Sequence, residues 1–101
     1  MTYDHELILI AVTITQDEIG NEIETETETG IYCGLKSVGR TEFYNAAVND
    51  LKPELIFVIH PYEYNGEKKV EFEGERYSVI RTYRASIEDM ELTCEKVGAD
   101  G

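Results

Sequence analysis

The chain of 101 residues has no tryptophan, two prolines, two cysteines, two histidines and not one lysine or arginine in its first thirty positions. Each shortage closes off a class of function. Nine basic residues against twenty-one acidic ones leave a formal net charge of −12. A grip on nucleic acid needs lysine and arginine to neutralise phosphates, so this chain is not expected to hold DNA. Cys33 and Cys94 stand far apart and outside any CxxC pair, which predicts two small, buried, reduced side chains rather than a bridge or a metal site. His5 and His60 show no ligand spacing, and zinc needs about four ligands, so no metal is expected. No apolar run approaches a membrane span, and the opening Met1 to Glu6 lacks the basic head of a secretory signal. Synthesis in the cytosol and no membrane partner are the expectations.

Catalytic patterns are missing as well. There is no GxSxG, no Gly-rich phosphate loop and no HExxH, and none of Ser37, Ser78 and Ser86 stands beside a histidine. Glu71, Glu73 and Glu75 alternate like paired carboxylates, but nothing near them in sequence would tune a pKa, and a solvated hairpin accounts for them. Neither an enzyme nor a cofactor is expected.

What is present is alternation. The length suits one small domain, read as 1–97 with Gly98 to Gly101 as a disordered tail. Glu6 to Thr15 is β-branched and apolar on both alternating faces, as in a strand covered on two sides or shared with a neighbour. Asp17 to Asn21 reads as a turn, with Gly20 and Asn21 able to take positive φ. Glu22, Glu24, Glu26 and Glu28 then alternate with Ile23 and threonines, so a strand carries the four carboxylates on one face. Like charges in a row call for a long, twisted, exposed hairpin. Two readings of the ladder stay open: an edge guarded against aggregation, or an acidic channel or partner face.

Ile31 to Val38 reads as a further strand, with Ile31, Cys33 and Leu35 on one side and Tyr32 on the other. Arg40, Thr41, Glu42, Phe43, Tyr44, Asn45, Ala46, Ala47, Val48, Asn49 and Asp50 follow as one odd excursion. Phe43, Ala46 and Ala47 recur at helical spacing, Thr41 is placed to cap, and Lys52-Pro53 ends any helix. About ten residues make a helix that is marginal without packing, so a short surface helix and a loop that orders on binding are both open. Glu54 to His60, Val70 to Phe72, Tyr77 to Tyr83 and Met90 to Glu95 read as strands. An Asn65-Gly66 turn and a Glu73 to Glu75 hairpin lie between them. The whole predicts an all-β fold: a small antiparallel barrel or sandwich of five to seven strands, with a projecting acidic hairpin and one long loop. Tyr62, Tyr64, Tyr77 and Tyr83 suit either a contact surface or the strands of a thin barrel.

The ordered set Tyr32-Cys33, Lys36-Ser37-Val38, Glu42 to Ala46, Leu51-Lys52-Pro53, the Tyr64 turn, Gly74 to Val79, Arg81-Thr82-Tyr83 and Met90-Glu91-Leu92 spans nearly the whole chain. In these pieces and their spacing the chain resembles the phage head-tail connector family, specifically the small head-closure (stopper, or head-tail adaptor) proteins of tailed phages and prophages. The resemblance implies a β-barrel with a long excursion, assembled as a ring (a dodecamer in the family) in the virion neck. That ring sits between a portal-bound adaptor protein and the tail-to-head joining protein, after assembly in the bacterial host cytoplasm. It also implies that Arg40 to Asp50 is the channel-closing loop. The acidic bias fits a channel through which DNA passes without sticking, and like charge would keep isolated copies monomeric. Two other readings remain: a tail-side neck (tail completion) protein of the same barrel fold, and an acidic DNA-mimicking inhibitor.

Overall fold

The computed structural model describes residues 2–48 and 50–97, so Asn49 and the expected disordered tail lie outside the described residues. Six strands appear: β1 (His5–Gln16), β2 (Glu22–Lys36), β3 (Pro53–Ile59), β4 (Lys69–Phe72), β5 (Glu75–Arg84) and β6 (Met90–Lys96). One helix, α1 (Arg40–Ala47), joins β2 to β3, and a 3₁₀ turn at Pro61–Glu63 follows β3. All pairings are antiparallel and the sheet closes in the order β1-β2-β3-β6-β5-β4. The fold is therefore a barrel rather than a sandwich. Pro61, which cannot donate to a ladder, follows the end of β3, while Pro53 takes the first position of that strand.

Closure rests on alternation. Leu7 and Leu9 of β1, Ile31 and Cys33 of β2, Phe57 and Ile59 of β3, Val70 and Phe72 of β4, Tyr77 of β5, and Leu92 and Cys94 of β6 form one buried cluster. At its centre the Phe57 ring lies 5.2 Å from Phe72 and 5.6 Å edge-on to Tyr77. Burying one such ring contributes about 2–3 kcal/mol, so this trio is a large share of a small core. Neither cysteine is bonded, and both are buried. Loss of hydration pushes the Cys33 thiol up to about 11 and the Cys94 thiol up to about 12.

One expected boundary is corrected. The acidic ladder and the strand after it are a single strand, β2, with Gly30 inside it and no interruption in its pairing to β1. Gly30 tempts a break, but its neighbours are β-branched and β1 pairs across it at Ile8. Of the residues expected to take positive φ at the first turn, only Gly20 does so, at 85°. The β4–β5 connection is the two-residue hairpin Glu73-Gly74 with φ of 52° and 80°, the signs of a type I′ turn.

Two outcomes are expected. Glu73→Asn, which tolerates a left-handed φ better, should raise the melting temperature by a few degrees, whereas Gly74→Ala should cost about 1–2 kcal/mol in thermal unfolding. The thiols should stay unreactive toward a neutral-pH thiol reagent until the protein is denatured, then react at both positions. Their folded pKa values lie above the ordinary 9.0, so the neutral thiols support the fold fully below about pH 9. That support is lost as pH rises toward about 11 and beyond, and the denaturation midpoint should fall across the same window.

Candidate functional site

Two surfaces carry the residues singled out by sequence. The first is an arm. β4 pairs with β1 only from Ile8 to Ile10, and β3 pairs with β2 only from Gly34 to Lys36. Beyond those limits β1 and β2 pair, among the described residues, only with each other, and they run out together as a two-stranded ribbon. The molecule is correspondingly elongated, 49 × 30 × 24 Å.

Cross-strand register assigns the arm's two faces. Ile10 stands opposite Glu28, Val12 opposite Glu26, Ile14 opposite Glu24 and Gln16 opposite Glu22. Residues directly opposite share a face, so Glu24, Glu26 and Glu28 lie beside an apolar row and Glu22 beside the Gln16 amide. The other face pairs Thr13 with Thr25, Ala11 with Thr27 and Thr15 with Ile23. At the tip, Asp17 organises the turn: its Oδ1 accepts from the Ile19 N–H at 3.0 Å and the Asn21 N–H at 2.9 Å. All of Glu22 to Gly30 is exposed, as are Val12 and Ile14.

The ladder is not a uniform acidic wall. Arg76 of β5 donates from both terminal nitrogens to the two oxygens of Glu26, each at 2.9 Å, and sits 3.9 Å from Glu71. These hydrogen bonds hold the Glu26 carboxyl below its ordinary range and the Arg76 guanidinium above its own. The clamp ties the arm back to the barrel. Among the described residues, Glu22, Glu24 and Glu28 make no ion pair.

The second surface is α1. Thr41 does not cap it: the N-cap is Gly39, with no side-chain bond. Nor does the helix run on to Lys52-Pro53. The Leu51 N–H bonds the Ala46 carbonyl and the Asp50 N–H bonds the Ala47 carbonyl, both at 3.1 Å, which is the bond pair of a Schellman ending. Asp50, at φ 59°, takes the left-handed place where glycine is usual. The expected apolar face is corrected too. Phe43 and Ala47 are exposed, and the side nearest the barrel is formed by Glu42 and Ala46, both half-buried. Glu42 decides this, because its Oε1 accepts from Arg81 at 3.0 Å and from the Thr93 hydroxyl at 3.2 Å. Those bonds reach β5 and β6, whereas Phe43 meets Tyr44 edge-on at 6.4 Å.

No residue of α1 is fully buried. A cleft of about 260 Å³ separates it from Leu51, Pro53, Ile80 and Thr93, and two further grooves flank it along Pro53 and Glu54. Arg40, Thr41, Phe43, Tyr44, Asn45, Ala47, Val48 and Asp50 all face solvent. An eight-residue helix held this way depends on one carboxylate more than on packing.

Nothing brings the two surfaces together. The ladder occupies one end of β2 and α1 follows its other end, and no hydrogen bond or ion pair among the described residues links Glu22, Glu24, Glu26 or Glu28 to Arg40–Asp50. The tyrosines divide between the two roles left open. Tyr77 is core, Tyr64 is half-buried and donates to the Glu67 carbonyl at 2.6 Å, and Tyr62 and Tyr83 are exposed. Sequence reasoning missed Arg76, whose partner is fifty positions away. It also missed an aromatic stack in which the His60 ring lies 4.2 Å from Tyr3 and 5.3 Å from Tyr62. Tyr3 also donates its hydroxyl to the Asp89 carboxylate.

The fold is similar to the solution structure of protein SF1141 from Shigella flexneri 2a. The TM-score is 0.77 at 15% identity, covering 98% of this chain and 96% of that one. At that identity the likeness shows the fold alone. No protein-family model and no curated protein matches the chain.

Glu26→Gln and Arg76→Ala should leave the melting temperature within a few degrees of the parent while speeding amide exchange along Glu22 to Gly30. Because the folded pKa of Glu26 is depressed, the clamp is complete above the ordinary carboxylate range and fails as pH falls through the lower folded value. Arm protection factors, taken relative to the intrinsic exchange rate at each pH, should therefore fall in acid in the parent and not in the Gln variant. Glu42→Ala should bring the α1 amides close to unprotected exchange rates, with the barrel amides unchanged.

Proposed function

We propose that this chain is a structural protein of the phage head-tail connector, a head-closure subunit. It forms a ring below the portal-bound adaptor, retains the packaged genome and offers a platform to the tail-to-head joining protein. The observation that carries the reading is a closed six-strand barrel that keeps α1 (Arg40–Ala47) on its outside, tied to β5 and β6 through the Glu42 carboxylate. A segment that must change neighbours when a ring assembles has to be cheap to release. α1 meets that condition, with open grooves beside it and exposed Phe43, Tyr44 and Val48 available to new partners.

Charge fits the same role. A ring multiplies −12 by its copy number, and acidic surfaces repel phosphate within about 8 to 10 Å at physiological salt. DNA would pass without being held. The same repulsion keeps free copies apart, so ring formation would wait for the portal to template it. The acidic-inhibitor reading loses ground on one observation: Arg76 neutralises Glu26 inside the ladder and Val12 and Ile14 lie beside it, so the face does not present an even row of phosphate-like charges.

Particles assembled without this chain should contain filled heads that leak DNA and carry no tails in electron micrographs. The purified chain should sediment as a monomer and become ring-bound only on portal-adaptor complexes. Heads that keep their genome and join tails in its absence would refute the proposal.

A further inference from the structure

We infer that the free edge of β2 on the arm is a strand-docking site for an extended, cationic segment of a partner protein, one in which arginine or lysine alternates with small or β-branched residues. Among the described residues, β2 from Glu22 to Cys33 is paired on one side only. Its other side presents unpaired backbone donors and acceptors. Natural edges of this length are usually blunted by proline, lysine, a bulge or a covering loop. This stretch contains neither proline nor lysine, and its register with β1 is unbroken. Ile23, Thr25, Thr27 and Thr29 give it the β-branched composition that accepts another strand. What remains as a guard is charge, and charge excludes selectively.

The molecule shows what the ladder accepts. One rung, Glu26, is already filled by a guanidinium bound through two 2.9 Å hydrogen bonds. Glu22, Glu24 and Glu28 repeat the same carboxylate on the same face, at a rise of about 7 Å per two residues. A partner strand laid along the edge has the same period. Every second side chain would meet a carboxylate and the intervening ones would meet Ile23 and the threonines. Backbone bonds supply affinity, and the alternating faces supply selection for register and sign.

A second copy of this chain fits poorly as the occupant. Of its nine basic residues, Lys36, Arg76, Arg81 and Lys96 are engaged within the fold, and each copy still carries −12. The inference rests on the arm alone, so its failure would leave the neck reading to be judged by the particle experiment.

The test uses the full chain and two synthetic peptides of about ten residues and equal composition, one alternating arginine with threonine and one with the arginines in a block. The alternating peptide should bind about tenfold more tightly and slow amide exchange on β2 between Glu22 and Cys33, with no change in the core strands. Backbone N-methylation of that peptide should abolish the protection. The variant carrying Glu22→Gln, Glu24→Gln and Glu28→Gln, all at exposed positions, should fold normally and bind about tenfold more weakly. Equal affinity for the two peptides, or binding without protection of the β2 edge, would reduce the ladder to diffuse charge attraction and overturn the inference. So would self-association of the chain that protects the same edge.

Discussion

Everything distinctive about this molecule hangs on the uninterrupted pairing of β1 with β2. Both strands begin or end inside the barrel and continue past it, so one ladder of hydrogen bonds carries the core and the arm. The alternation is the same throughout: Leu7 and Leu9 line the core on the face that becomes the threonine side farther out. Slipping the register by one residue would turn Leu7 and Leu9 outward and bring charged positions toward the core. Burial at one end therefore fixes which way the carboxylates point at the other.

Stability is unevenly distributed as a result. The core cluster draws on all six strands, and the Phe57, Phe72 and Tyr77 rings join three of them. The arm has no core of its own, and a two-stranded ribbon alone is marginal in water. Its support comes from continuity with the barrel, the Asp17 turn and the Arg76 clamp. The helix α1 is similarly peripheral, held by Glu42 rather than by buried apolar surface. Both elements assigned a contact role are thus the ones whose release costs least, which is where recognition by rearrangement is expected.

Much of this was legible in the residues. Period-two runs marked the strands, Glu73 to Glu75 marked a hairpin, and Glu22 to Glu28 marked an exposed hairpin, because each signal is local and physical. Where the reading failed, a local signal was outvoted. Gly30 suggested a break, yet pairing with β1 carried β2 through it. Phe43, Ala46 and Ala47 suggested an apolar helix face, yet the barrel offers that helix Arg81 and Thr93, and the carboxylate of Glu42 turned inward to meet them. Thr41 looked like a cap, but the helix starts early enough that Gly39 takes that place.

The sequence by itself determined that the chain is all-β, that its first thirty residues carry acids and no lysine or arginine, and that four carboxylates share one strand face, because composition and a two-residue period require no partner. Only the tertiary structure decided that the sheet closes, that β2 leaves one edge open, that Glu26 is neutralised from β5, and that the ladder and α1 lie at opposite ends of the same strand. Those are properties of which residues meet across the sheet. Contacts separated by fifty positions leave no trace in local pattern, since only the closed barrel brings them within reach.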